Sequence, residues 1–375
     1  MQTIAESFGL SEVISHYNEV NSGNINRTYH ATLANGEEYT LQLINHHVFR
    51  DPDAIMSNIA HVTTHLERKF ALEGRNPKRH VLHFLRTLEG RLIHRDAEGC
   101  YWRCYAYING ATAHDTVSKP EHFYQAGRAF GEFQRHLCDF PMDTLYETIP
   151  GFHDTPRRFE AFEAAVAADR VGRAASVSRE IEFFRERKAM MGRIVSLIET
   201  DELPLRVTHN DTKINNVLID DKSDEAICVI DLDTVMPGSV LYDYGDAIRF
   251  GANRAAEDEP DLSKISLDME LFAQFTRGFL SMVDGFLTQE EILMLPLGVQ
   301  VITCELAMRF LTDYLDGDRY FRVRDAEHNL VRARAQMRLL EDVEEKSLEM
   351  KRIIDEEIAH PNRGGERYAS AAQSS

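Results

Sequence analysis

The chain has 375 residues, enough to bury a large core and to form two lobes. With 61 acidic against 42 basic residues it carries a formal net charge of −19, which disfavours nucleic acid and anionic membrane surfaces as partners, since both reward Lys and Arg. Hydrophobic residues at 43% and charged residues at 27% match ordinary globular proteins, and the acidity reads first as solubility.

Short alternating segments dominate before residue 108. Val13 to Val20 reads as a strand, Asn21 to Asn24 as a turn and Ile25 to Leu33 as a second strand. Asn35-Gly36 is a strong hairpin signal leading into a third strand, Glu38 to Ile44. Pro52 to Phe70 reads as a helix, with Asp51 as N-cap and Ile55, Ile59, Val62 and Leu66 at helical spacing. His80 to Leu88, Arg91 to His94 and Cys100 to Ile108 read as further strands. The later chain reads as helices near 119–139, 156–171, 177–200, 267–285, 289–315 and 323–359. A small hairpin interrupts them, with strands Val217 to Ile219 and Ala226 to Ile230 joined by the polar loop 220–225. The expected fold is therefore α+β: a mostly antiparallel sheet with one helix, then a mainly helical region carrying a hairpin.

No continuous apolar run approaches the ~18 residues of a membrane span. Met1 to Glu6 lacks the basic flank and apolar run of a signal peptide. The five cysteines, at 100, 104, 138, 228 and 304, are scattered and odd in number, which predicts reduced thiols and a cytoplasmic location. Cys100 and Cys104 are expected on one face of a strand.

The informative run is Val207-Thr208-His209-Asn210-Asp211-Thr212-Lys213-Ile214-Asn215-Asn216, followed at the far end of the hairpin by Asp231-Leu232-Asp233. Phosphoryl transfer needs a carboxylate to take the attacking hydroxyl's proton, and hard oxygen ligands for Mg²⁺ on the phosphates. Asp211 fits the first role; Asn216 and Asp231, brought together by antiparallel pairing, fit the second. Lys213 is a candidate to steady the transferred phosphoryl, and His209 to prop the loop. Each residue alone also reads as a turn, a cap or a solvated strand end; the joint pattern is what points to chemistry.

That pattern implies a bilobal, protein-kinase-like fold using ATP and Mg²⁺. Residues 1–107 form a nucleotide-clamping lobe and 108–360 a helical lobe with the catalytic loop, metal site and acceptor pocket; 361–375 read as a disordered tail. Gly23 and Asn24, between the first two strands, are candidates for the phosphate loop, where a glycine lets backbone amides approach. The third strand should carry a phosphate-holding Lys, but Gln42 stands in that slot, and 54–66 of the following helix contains no acidic partner. Lys and Glu are missing as a unit, and Gln42 becomes the candidate nucleotide contact.

These residues resemble the aminoglycoside phosphotransferase and choline kinase superfamily, and within it the N-acetylhexosamine 1-kinases. The resemblance covers nearly the whole chain. It includes Gly23 to Asn26, Leu41 to His46, Tyr101-Trp102-Arg103, Glu147 to Thr155, the His209 to Asn216 loop, Asp231 to Gly238, Tyr242 to Asp246 and Met308 to Asp318. It implies phosphorylation of the anomeric hydroxyl of N-acetylglucosamine or N-acetylgalactosamine, with Asp211 as base at that hydroxyl. It also implies that Arg309 and Tyr320 line the sugar pocket, that Asp243 and Asp246 hold the loop after the metal site, and that Trp102 packs in the lobe interface or hinge rather than touching sugar. The expected partner is a small-molecule sugar. Rival readings change the acceptor to an aminoglycoside, choline, ethanolamine, homoserine or another sugar, or make the chain a nucleotide-binding pseudokinase or a helical scaffold.

Overall fold

The computed structural model describes residues 1–20, 25–283 and 285–360; the expected tail lies outside them. In chain order the elements are α1 (Gln2–Ser7), β1 (Ile14–Val20), β2 (Arg27–Leu33), β3 (Glu38–Ile44), α2 (Pro52–Leu72), α3 (Pro77–His80), β4 (His94–Arg95), β5 (Tyr101–Ala106) and β6 (Ala111–Ala113). Then come α4 (Pro120–His136), α5 (Thr155–Ala168), α6 (Ser178–Glu186), α7 (Lys188–Met191), α8 (Arg193–Glu199), β7 (Arg206–Thr208), β8 (Val217–Asp220), β9 (Ala226–Val229) and β10 (Met236–Gly238). The last are α9 (Val240–Gly251), α10 (Met269–Val283), α11 (Gln289–Asp316), α12 (His328–Glu345) and α13 (Ser347–Ala359). The mixed α+β class expected from the sequence is observed, with an antiparallel sheet early and helices late. Two compact units form: residues 1–115, 136–150 and 215–237, and residues 116–135, 151–214 and 238–375.

The first unit is built on the antiparallel sheet β1-β2-β3-β5-β4. Gly36 turns the β2–β3 hairpin at φ 86°, a conformation open to glycine. One sheet face is apolar: Tyr29, Ala31, Leu33, Leu41, Trp102 and Cys104 pack with Ala5 and Phe8 of α1. Trp102 is held there by its indole N–H, which donates to Asp96 at 2.8 Å. Cys100 joins the same core, and all five cysteines are free thiols. The opposite face carries Thr28, Gln42 and Arg103 in register across β2, β3 and β5. β6, β8 and β9 make a separate small sheet. Asp51 caps α2 as expected, accepting from the Ala54 amide at 3.0 Å.

The second unit is helical, with α11 at its centre. A capping box of Thr288 and Glu291 starts α11, and Gly317 in the left-handed region ends it. Its most apolar stretch is long enough to cross a membrane by length and composition, which the sequence reading did not anticipate, but 67% of that stretch is buried within the protein. Phe162, Phe184, Met308, Leu311, Leu330 and Leu340 share one core around it. α9 and α11 meet backbone to backbone: a Cβ on Gly245 would strike the Gly298 carbonyl, and one on Gly298 the Leu241 carbonyl.

Several expected elements change. The His80 to Leu88 strand is not a regular one: Pro77 opens the short α3, and the following residues pair irregularly with β5, Leu85 N–H to Cys104 O at 2.8 Å and Ala106 N–H to His83 O at 3.0 Å. The helix expected over 177–200 breaks into α6, α7 and α8. Gly192 interrupts it, and the Thr155 hydroxyl takes the Met191 carbonyl at 2.5 Å. The helix expected over 323–359 divides at Lys346, whose ammonium leaves for Asp342 at 2.7 Å and the Leu267 carbonyl at 2.8 Å. β6 and α9 were not anticipated.

Candidate active site

In the first unit the hairpin does what its spacing requires. Val217 pairs with Val229, and the Ile230 amide donates to the Asn216 carbonyl at 2.9 Å. Asn216 and the residue after Ile230, Asp231, are thus brought together at the open end of the hairpin. Asp231 sits at φ 59°, a strained backbone that Asp tolerates better than most residues and that neighbouring contacts must enforce. Beside these donors the Asn215 side-chain oxygen is buried without a hydrogen-bond partner. A carboxylate and amide oxygens are the chemistry a hard divalent cation takes, so the residues fit magnesium.

The turn after Asp231 is tied to the sheet. Asp233, 3% exposed, is gripped by the Arg103 guanidinium, with Nη2 to Oδ2 at 3.0 Å and Nη1 on the other oxygen. The Asn26 amide adds a bond to Asp233 at 2.6 Å. Gln42 uses both ends of its amide within the sheet: its oxygen accepts from Arg103 Nε at 2.9 Å and its nitrogen donates to Thr28 at 2.9 Å. Gly23 and Asn24 lie outside the described residues. Arg103 and Asp233 stood in the motifs without an assigned role. The register that sets Arg103 opposite Gln42 is not written in local sequence.

In the second unit the loop carrying His209 and Asp211 is held from beneath. Asp243 on α9, 2% exposed, accepts from the amides of His209 at 2.9 Å and Asn210 at 2.7 Å, and from Gln134 at 2.7 Å. Burial raises its carboxyl pKa, with those donors and the His209 ring pulling the other way. His209 is fully enclosed, edge-on to Phe130 and Phe133, and its Nδ1 accepts the Asp211 amide at 3.3 Å. Asn210 turns the chain at φ 63°. Asp211 is only partly buried and pairs with Lys213 at 2.7 Å. Burial works against the Lys213 charge, but Asp211 and Asp246 outweigh it and push its pKa up. Asp246 in turn pairs with the buried Arg249 at 2.8 Å.

Arg309 and Tyr320 are also brought together, Nη2 to phenol oxygen at 3.3 Å. Phe152 and Phe321 flank the guanidinium at 5.7 and 5.6 Å. Behind it lies Glu305, 1% exposed, with His153 at 3.0 Å, Arg158 at 3.2 Å and Arg309 at 3.7 Å. Burial resists ionisation of Glu305, but these three neighbours hold its carboxyl below the ordinary range. Tyr242, next to Asp243 on α9, donates to the His153 carbonyl at 3.2 Å. The Glu305 hub was missed by sequence reasoning, since its partners come from α5, α11 and the loop before α5.

The fold and the loop define a small-molecule phosphotransferase. A family model described as the phosphotransferase enzyme family matches residues 16–268, and the chain belongs to that family. Solved structures agree on the fold. The chain is similar to a microcompartment-associated aminopropanol kinase, at 19% identity over 93% of this chain and 98% of that one, TM-score 0.62. It is similar to an aminoglycoside phosphotransferase from Alicyclobacillus acidocaldarius, at 13% identity over 95% and 96%, TM-score 0.61. It is also similar to the amicoumacin kinase hAmiN in complex with AMP-PNP, Ca²⁺ and Ami, at 13% identity over 88% of each chain, TM-score 0.57.

Proposed function

We propose that this phosphotransferase uses ATP and magnesium to phosphorylate the anomeric hydroxyl of an N-acetylhexosamine, N-acetylglucosamine or N-acetylgalactosamine. The observation that carries the acceptor reading is the Arg309–Tyr320 pair, flanked by Phe152 and Phe321 and backed by Arg158. A neutral sugar needs hydrogen-bond groups beside aromatic faces, and this cluster has both. Its two guanidiniums are the wrong charge for an acceptor bearing an ammonium, and the carboxylate paired with both, Glu305, is buried and already engaged.

In the proposed reaction Asp211 orients the sugar hydroxyl and accepts its proton. The sugar oxygen forms its bond to the γ-phosphorus while the bond to the ADP oxygen breaks. Lys213, kept cationic by Asp211 and Asp246, steadies charge on the transferred group. Asn216 and Asp231 are the residues that would hold magnesium, which when bound neutralises phosphate charge. Gly23, Asn24 and Gln42 are the proposed nucleotide-side residues, with Gln42 acting through the sheet contacts above. A cytoplasmic location with a small-molecule partner fits this chemistry.

The test is ADP release from Mg-ATP with N-acetylglucosamine, N-acetylgalactosamine, galactose, choline and kanamycin, each beside Asp211→Asn. Turnover on an N-acetylhexosamine is expected, falling by about 10²–10⁴-fold in the variant. Turnover on choline or kanamycin alone would replace the acceptor; undiminished turnover in the variant would remove Asp211 as base.

A further inference from the structure

The chain lacks the strand-three Lys and its helical Glu, yet the face where they belong is not empty of charge. Arg103 lies directly across the β3–β5 ladder from Gln42. It is 2% exposed, and its planar guanidinium is engaged within the first unit: a fork onto Asp233, Nε to Gln42 at 2.9 Å and Nη1 to the Met56 sulfur at 3.7 Å. Asn26 adds its 2.6 Å bond to Asp233 while accepting the Asn45 amide at 3.0 Å. On α2, where the Glu would stand, Asn58 instead donates to the Val235 carbonyl at 3.0 Å and to Tyr146 O at 2.8 Å. The sheet and α2 both close on the stretch 231–235.

We propose that Arg103 is a positioning residue for Asp231: acting through Asp233, with Gln42 and Asn26 as auxiliaries, it fixes the turn that carries Asp231. The fork stands one strand across the sheet from the slot that a strand-three Lys would fill. Asp231 explains why such a device is placed here. Its φ of 59° is costly for a non-glycine residue and persists only where the surroundings over-determine it. A buried ion pair is also a weak way to gain stability, because apolar residues of similar volume often serve as well. A fork with fixed geometry does what they cannot, fixing the direction of the turn two residues after the proposed ligand. The same network accounts for Gln42, whose oxygen is the acceptor Arg103 needs and which a Lys would replace with a second cation.

This inference rests on the reading of Asp231 as a magnesium ligand, and the test separates the two. ADP binding is measured by calorimetry with and without Mg²⁺ for the parent, Arg103→Met, Arg103→Lys and Asp231→Ala, alongside thermal melting. The double variant Gln42→Lys/Arg103→Met, which returns a cation from the facing strand, is run with them. Expected for Arg103→Met are cooperative melting, unchanged metal-free ADP affinity, and a gain in affinity from Mg²⁺ reduced about tenfold, the scale of losing a partner behind a ligand. The double variant recovers part of that gain. Arg103→Lys, which keeps the charge and loses the fork, falls between and keeps the proposal testable should the Met variant not fold. A folded Arg103→Lys or Arg103→Met with the parent's magnesium response overturns the proposal while Asp231→Ala loses that response. An Asp231→Ala protein that retains the response overturns the ligand reading itself.

Discussion

At the scale of single residues, the loop from Thr208 to Asn216 shows what a sequence can and cannot disclose. Asp211, Lys213, Asn216 and Asp231 could be proposed from the sequence because their chemistry and spacing are local, set by one loop and one hairpin. Asp243 was expected to hold the loop after the metal site; it instead accepts from two consecutive amides of the earlier loop, those of His209 and Asn210. Asp243→Ala leaves those buried donors unpaired, at about 1–3 kcal/mol of stability, and frees the segment carrying Asp211. The expected result is a lower melting midpoint with kcat reduced and nucleotide affinity kept; loss of nucleotide affinity with intact kcat would contradict it. Arg309 makes a separate prediction. Arg309→Ala should raise the acceptor KM about tenfold, the scale of one hydrogen bond to a charged group, and leave the KM for ATP unchanged. An unchanged acceptor KM would place the sugar elsewhere.

At the scale of elements, patterning disclosed what had a face. β3 falls at Glu38–Ile44, the bounds its hairpin signal gives, and α2 begins at its Asp-Pro start. α9 escaped because it has no solvent stripe to give it a period: ten of its twelve residues are buried, Asp243 and Arg249 among them. The break at Gly192 inside the 177–200 stretch is reinforced by Thr155, a residue distant in sequence, which takes the Met191 carbonyl. α9 also carries Asp243, which braces the loop bearing the proposed base Asp211, so its seat on α11 is expected to matter to turnover. Gly298→Ala would force a methyl into the Leu241 carbonyl and push α9 outward. Overpacking of this kind costs about 1–3 kcal/mol, and kcat is expected to fall with stability because Asp243 moves with the helix. Gly285→Ala meets no neighbour in space, yet at φ 71° its strain is purely local. It should lower stability slightly and leave kcat untouched. A Gly298→Ala enzyme destabilised to the same degree but fully active would show that α9 does not transmit its position to the loop.

At the scale of the whole molecule, the charge balance is uneven in its consequences. A surplus of acid suits solubility, but stability turns on the few carboxylates that are enclosed and paired. Burial alone raises a carboxyl's pKa; at Glu257 the Arg249 and Arg332 guanidiniums outweigh burial, and at Glu305 His153, Arg158 and Arg309 do. Both folded values therefore lie below the ordinary 4.5. The unfolded chain then binds more protons than the folded one as pH falls through that window. Their stabilisation is complete above 4.5 and is lost as pH drops through the folded values. Asp243 acts in the opposite sense. Its folded value is raised above 3.8, so its contribution is present below 3.8 and lost as pH rises through the folded value. Through Glu257 and Glu305 the melting point is expected to fall as pH drops below about 4.5, with Asp243 opposing that fall. Glu305→Gln should melt lower at neutral pH and lose part of that acid slope, because its amide keeps the shape of the hub without the proton-dependent attraction. Calorimetric melting from pH 3.5 to 7 is the measurement, and an acid slope identical in Glu305→Gln and the parent would move the dependence onto other carboxylates, with Glu257→Gln the next variant to melt.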